Sequence, residues 1–304
     1  AIHNCFILSV EDNMDSILEW IRTEGMIFKR GSGAGVNLSP LRAGSETLAR
    51  GGHASGPVSF MRGADSVAGP IASGGATRRA AKMVVLNVDH PDIMKFIHCK
   101  AEEEKKVRAL INAGYNMYDL NNEAWFSIQY QNANNSVRVT DEFMHAVEND
   151  EKYSTHEVHS GAVAETYQAR DLMREIAQAA WESGDPGMQY DTTINHWHTA
   201  PNSGRINASN PCSEYMHVDN SACNLASINL LHYLKSDGTF DVRGFTHTVD
   251  VMILAQEILV DSSSYPTEKI AKNTRALRQL GLGYANLGAR LMATGMPYDS
   301  DEAR

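Results

Sequence analysis

Apolar positions in this chain recur in two rhythms. Short unbroken runs, CFILSV from Cys5 to Val10 and KMVVLNV from Lys82 to Val88, are β-prone and predict buried strands. Elsewhere the spacing is helical. Met14, Ile17, Leu18, Ile21 and Met26 fall at helical intervals across Asp12 to Phe28. Asp12 suits the N-cap of that helix, and Asp15 its first turn, where a carboxylate meets free amides and the positive dipole end. GPVSFMRGADSVAGPIASGG predicts a helix with a ragged end, and Asp92 to Lys106 a helix with the charged tail AEEEKK. Ser136 to Val139 is short and extended, and Asp141 caps a helix through Glu148. Ala169 to Glu182 is amphipathic and stops at SGDPG, and long helices are predicted around Phe245 to Leu259 and Thr274 to Thr294. Two stretches have neither rhythm: the glycine-rich GSGAGVNLSP, predicted as a loop, and residues 150–167, predicted as an irregular excursion. Strands alternating with helices predict an α/β architecture. Without repeats or Pro-rich linkers, residues 1–304 are expected to form one domain.

Composition narrows the function. With 42% apolar and 21% charged residues, the 304-residue chain has enough apolar material for a sizeable core. No stretch approaches the roughly 20 apolar residues that span a bilayer, and the opening AIHNCFILSV lacks a basic flank and cleavage site. The expectation is a cytoplasmic protein without membrane contact. AIHNCFILSV enters as a strand without preamble and MPYDSDEAR stops without a closing element, which suggests a fragment of a longer chain. The net charge of −10 argues against a non-specific nucleic-acid binder, but leaves room for small phosphorylated ligands. Four cysteines are too few for a disulfide scaffold and fit a reducing compartment.

Most candidate motifs have an ordinary explanation. GSGAGV lacks the strand-before, helix-after setting of a dinucleotide fingerprint, because a helix precedes it and Pro40 follows. Its glycines still suit close approach of the backbone to another group. Twelve histidines occur, yet there is no CxxC, so a zinc site is not expected. Cys99 lies in a helical pattern and reads as packing. The clusters Arg78-Arg79 and Lys105-Lys106 read as solvated faces, whereas Arg42, just past the glycines, is better placed to reach an anion. Asn210-Pro211-Cys212-Ser213-Glu214 differs from these. Proline stiffens the turn bearing the thiol, and in an extended tip Asn210, Cys212 and Glu214 would share a face. The residues alone leave two readings open: a catalytic thiol with a hydrogen-bond donor and a base, or a chance turn with a buried cysteine.

At this motif the chain resembles the large catalytic subunit of ribonucleotide reductases. NPCSEY with SACNLASINL resembles the family's finger loop and the strand after it, and HNCFILSVEDNMDSI its first barrel strand and helix. GSGAGVNLSPLR, SGPVSFMR, GGATRRAAKMVVLNVDHPDI, NNSVRVTDEFM and TRALRQLGLGYANLGARLM follow in the family's order, over essentially the whole chain. The resemblance implies the first half, with the finger loop, of a ten-stranded α/β barrel that is incomplete here. It assigns Cys212 the thiyl radical that removes the substrate's 3′ hydrogen, Glu214 the general base, and Asn210 the ribose hydroxyls. Cys5 and Cys223 become the dithiol that supplies two electrons. A radical at Cys212 must be shielded from solvent.

The same resemblance places Asn4, Gly33, Pro211 and Ser213 at the ribonucleotide substrate, and Asp12, Arg42 and Lys29 at a deoxynucleoside triphosphate effector. QNANNSVRV resembles the loop linking the two sites, without assignment of single residues. NPCSEY, SGPVSFMR and VDHPDI look most like the adenosylcobalamin-dependent class. The alternatives are the oxygen-dependent class with a separate radical-generating subunit, and an inactive nucleotide-binding paralogue. A thioredoxin- or glutaredoxin-type reductant is implied as partner, with a homodimer as a further possibility.

Overall fold

The structure, a computed structural model, describes residues 3–71, 80–119 and 122–304; the Arg78-Arg79 cluster lies outside the described residues. The chain divides into two compact units, one of Cys5–Ser221 and one of the N-terminal residues up to Asn4 with Ala222–Arg304.

In the larger unit, strands β1 (Cys5–Leu8), β2 (Gly33–Asn37), β3 (Ala81–Asn87) and β4 (Ala133–Val139) alternate with helices α1 (Met14–Lys29), α2 (Pro57–Ala68) and α3 (Ile93–Asn112). Then come α4 (Asp141–Asn149), the hairpin strands β5 (Lys152–His156) and β6 (Val163–Gln168), α5 (Ala169–Ser183), β7 (Gly187–Tyr190) and α6 (Asp191–His196). Two short strands, β8 (Ala208–Ser209) and β9 (Met216–His217), complete the unit. β1, β2, β3, β4 and β7 pair in parallel, in that order, as the α/β pattern requires. One face of this sheet is mainly apolar: Phe6, Leu8, Ala34, Val36, Val84, Leu86, Val137 and Val139 are all buried, with Lys82 and Asn135 as buried polar members that pair with the helices. The alternate residues carry the chemistry. Cys5, Gly33, Gly35, Asn37, Asn134, Arg138 and Gln189 lie on the opposite face, in register across neighbouring strands.

The predicted strands and most helices are present, and the differences have identifiable causes. Gly33–Asn37 is a buried strand rather than a loop; its glycines serve a close crossing described below. The cap of α1 is Asn13, whose side chain accepts from Ser16 N at 2.8 Å, because Asp12 is committed to Arg42. Thr140, not Asp141, caps α4 by accepting from Phe143 N. Residues 150–167 form the β5–β6 hairpin, whose polar composition reflects exposure of much of both strands. In α1 the buried stripe is Ile17, Trp20, Glu24, Ile27 and Phe28, while Met14, Leu18 and Met26 face outward.

Glu24 is buried because it meets Lys82 of β3: Nζ donates to Oε2 at 2.7 Å, with side chains 1% and 0% exposed, and the ammonium sits 5.3 Å from the Trp20 ring centroid. Glu24→Gln strands the ammonium without a counter-charge in a dry site. The expected loss is about 3–5 kcal/mol of unfolding free energy, measured by urea denaturation. The paired change Glu24→Met with Lys82→Met should recover most of it; equal destabilisation by the pair would show that charge is not what makes the site costly to disrupt.

The smaller unit contains β10 (Ser221–Asn229), α7 (Val242–Ser262), α8 (Glu268–Leu277), β11 (Leu280–Ala285) and α9 (Leu287–Ala293). β10 and β11 are parallel. The predicted helix over Thr274 to Thr294 is thus two helices with a strand between them. GLGYA places glycines 281 and 283 at alternate positions of β11, where Leu225 packs against the first. Among the described residues no helix is long and apolar enough to cross a membrane.

Candidate active site

The motif around Cys212 is the tip of a β-hairpin laid across the polar face of the larger sheet. Ala208 pairs with His217 and Ser209 with Met216, and Asn210 N donates to the Tyr215 carbonyl at 3.1 Å. Asn37 Nδ2 holds the entering leg by donating to the Asn207 carbonyl at 2.9 Å, and Asn207 Nδ2 ties the two legs together through Asp219 Oδ2 at 2.9 Å. Close seating demands glycine in β2. A Cβ on Gly33 would lie 2.8 Å from Pro211 Cγ, and one on Gly35 would overlap the Ser209 carbonyl oxygen. From β4, Asn134 Nδ2 donates to the Pro211 carbonyl at 2.9 Å. The stretch expected as a linking loop is therefore mostly strand, and one of its residues reaches the hairpin tip.

At the tip three of the singled-out residues meet. Asn210, 1% exposed, donates from Nδ2 to Cys5 Sγ at 3.1 Å, and its Oδ1 accepts from Tyr215 N at 3.0 Å. Cys5 Sγ donates to Glu214 Oε1 at 3.5 Å. A carboxylate, a thiol and an amide thus form one hydrogen-bonded group. Ser213 N closes a turn onto the Asn210 carbonyl at 3.1 Å, and Ser213 has φ 64°. This left-handed residue breaks the extended alternation, so Glu214 is directed to Cys5 instead of sharing a strand face with Cys212. Cys212 itself is exposed in this chain, as is Glu214; these residues do not supply the expected shielding.

The other candidates lie as follows. Cys223 is buried in β10 of the smaller unit, where its Sγ donates to the Asn224 carbonyl at 3.3 Å and its own carbonyl accepts from Asn4 N at 3.3 Å. Gly33 faces Pro211, as above. Arg42 joins Asp12 through Nε to Oδ2 at 2.5 Å and through its backbone N–H to Oδ1 at 3.2 Å. Lys29 is exposed at the far end of the 16-residue helix α1, roughly 24 Å from its start, so it does not share the Asp12–Arg42 cluster within one chain. Cys99 is packing: it is buried in α3, it accepts from Asn135 Nδ2, and burial pushes its thiol up to about 12. Among the described residues no group of three or more His, Cys, Asp or Glu side chains converges on a metal position.

At the hairpin base, burial pushes the Asp219 carboxyl up from 3.8 to about 6, against the opposing pull of Asn207 and Arg138. Between these values the folded chain keeps a proton that the unfolded chain has released. This group's contribution to stability therefore falls as pH rises through that window and stays low above it. Asp219→Asn removes the penalty. Thermal unfolding should show the variant more stable than the parent near pH 7–8, by on the order of 1–2 kcal/mol, and equal to it near pH 4. A variant less stable at neutral pH would mean that the ionised carboxylate stabilises the hairpin base.

Asn134, Gln189 and Ser209 escaped notice in the sequence, and Gly35 reads there only as one of the GSGAGV glycines suited to close approach. For Gly35 and Asn134 the signal is the period-two alternation of small or polar residues with buried apolar ones in GAGVN and ANNSVRV; Gln189 and Ser209 carry none.

Residues 3–304 match the ribonucleotide reductase barrel domain, and the chain belongs to that family. It is similar to the vitamin B12-dependent ribonucleotide reductase of Streptomyces avermitilis, at 60% identity over 99% of this chain and 31% of that protein. The vitamin B12-dependent ribonucleotide reductase of Rhodopirellula baltica is 55% identical over 99% of this chain and 29% of its own length. A vitamin B12-dependent ribonucleoside-diphosphate reductase of Mycobacterium tuberculosis is 37% identical over 98% of this chain and 40% of its own. The chain thus spans about a third of the length of the curated relatives it matches.

Proposed function

We propose that the full-length protein reduces ribonucleotides to 2′-deoxyribonucleotides by thiyl-radical chemistry, with adenosylcobalamin as the radical source. The observation that carries this reading is the hydrogen-bonded group of Cys5, Asn210 and Glu214 beside the turn that bears Cys212. Cys212 removes the 3′ hydrogen atom of the ribose and later returns it. Glu214 takes the proton of the 3′-hydroxyl, a role that requires hydrogen-bond reach of that hydroxyl, and Asn210 orients the hydroxyls. As the 2′-hydroxyl leaves as water, Cys5 and Cys223 together give up two electrons and end as a disulfide. A thioredoxin- or glutaredoxin-type protein then restores the two thiols. Substrate lies over Asn4, Gly33, Pro211 and Ser213.

An external radical source requires a thiol it can approach before the site closes. The exposed Cys212 fits that requirement. Cys212 would face the bound adenosylcobalamin, whose chemistry is homolytic release of a carbon radical from cobalt. Shielding of the resulting thiyl falls to the part of the full-length protein outside these residues. Asp12 and Arg42, already paired, are the effector position, and Lys29 reaches an effector only from a second copy. The exposed Met14 and Leu18 of α1, next to Asp12, support such a homodimer.

The test is turnover of the full-length protein under anaerobic conditions with a dithiol reductant. Activity is expected with adenosylcobalamin and not without it. Turnover that instead needs oxygen and a second subunit would transfer the chain to the alternative class, and no turnover under either condition would defeat the catalytic reading.

A further inference from the structure

The turn bearing Cys212 contains a serine in the left-handed region, a conformation that persists only where the surroundings impose it. A buried polar chain leads to that turn across the same polar face, from the β4–β7 edge of the sheet. Arg138 of β4, 1% exposed in its side chain, donates from Nε to Asp191 Oδ1 at 2.7 Å, from Nη2 to the Ile206 carbonyl at 2.5 Å and from Nη1 to Gln189 Oε1 at 2.9 Å. Gln189 Nε2 donates to Ser209 Oγ at 2.8 Å. Ser209 Oγ donates to the Asn210 carbonyl at 2.9 Å and lies 3.2 Å from Ser213 Oγ.

The direction of this chain is fixed by chemistry. A guanidinium only donates, so the Gln189 oxygen must face Arg138 and its NH2 must face Ser209. Ser209 then accepts from Gln189, and its one proton is free to go forward to the Asn210 carbonyl. That carbonyl also receives the turn-closing bond from Ser213 N. Gln189 and Ser209 are 3% and 0% exposed, so water does not substitute for either bond.

We propose that Gln189, oriented by Arg138, is a positioning residue that holds the Cys212 turn through Ser209 and so sets where the reacting thiol points. The proposal rests on the reading of Cys212 as the reacting thiol. Gln189 touches neither substrate nor the reacting atoms; its effect is transmitted by one proton on one buried hydroxyl.

The test uses two variants of the full-length protein. Gln189→Glu keeps shape and still accepts from Arg138, but it obliges Ser209 to donate backward and withdraws the proton from the Asn210 carbonyl. Ser209→Ala deletes the forward donor with a minimal change of volume, and decides the matter if the first variant fails to fold. In either, kcat is expected to fall roughly tenfold to a hundredfold, with KM for the ribonucleotide within about twofold, since misaimed groups lose rate before binding. The melting temperature should stay close to the parent's. The second readout is independent of turnover: the rate of Cys212 alkylation by iodoacetamide, with Cys212→Ser protein as background. A site that admits a nucleotide admits this reagent, and the rate should shift by roughly threefold or more as the thiol's surroundings change. Parental kcat and parental labelling in a folded variant would overturn the proposal. So would a fall in kcat with unaltered labelling, which marks a merely structural loss. Altered labelling with parental kcat would uphold the relay and defeat the reading of Cys212 as the reacting atom.

Discussion

Cys212→Ser in the full-length protein is expected to bring ribonucleotide reduction to background, a fall of at least about a thousandfold, while the ribonucleotide still binds. The structure makes this a clean substitution. Cys212 is exposed at a hairpin tip, so no core packing is lost, and serine suits a turn as well as cysteine does. What changes is the hydrogen atom. A thiol gives and takes hydrogen in near balance with a ribose carbon, whereas a hydroxyl holds it too firmly to exchange. The Cys5–Asn210–Glu214 group is untouched, so affinity measured by calorimetry should be retained. Substantial turnover by the serine variant would falsify the assignment of the radical to this residue.

The second large effect is expected from a single methyl group. Gly35→Ala places a carbon onto the Ser209 carbonyl oxygen, 2.9 Å from its carbonyl carbon and 3.2 Å from Met83 Cβ. The first two atoms are backbone and cannot rotate away, so either the hairpin or β2 must move. Overpacking of this kind destabilises by about 1–3 kcal/mol, and an ångström of displacement at the tip lowers kcat on the order of a hundredfold. Gly63→Ala is the matched control: it lies in α2 with nothing near its added carbon, and helix propensity favours the change by up to about 1 kcal/mol. Comparable activity of the two variants would contradict the seating of the hairpin on β2.

Much of the fold was legible because period and composition agreed. CFIL and KMVVLN are apolar runs in buried parallel strands, and α5 is amphipathic with a sharp glycine stop. Where reading failed, a tertiary contact had overruled local preference. GAGVN has the composition of a loop because the hairpin needs bare backbone beneath it, and the strand pairing on both sides keeps it extended. Asp12 has the chemistry of a cap but faces Arg42, thirty residues on, a contact no local window contains. Residues 280–285 were absorbed into a helix because leucine and alanine suit helices; only their partner β10 makes them a strand. The site divides in the same way. Asn210, Cys212 and Glu214 are visible as a stiffened motif, whereas the turn at Ser213 and the descent of Glu214 toward Cys5 depend on a dihedral angle and on a residue 209 positions away.

The glycines of β2 also set how this molecule can change over time. With polypeptide resting directly on polypeptide, no compressible layer lies between the platform and the hairpin. Side chains on the helix-facing side can be exchanged, and the chain can adapt to heat or cold there, without that relaxation passing on to the thiol. Variation should therefore accumulate among the apolar side chains beneath the sheet, while positions 33, 35 and 208–211 tolerate almost none.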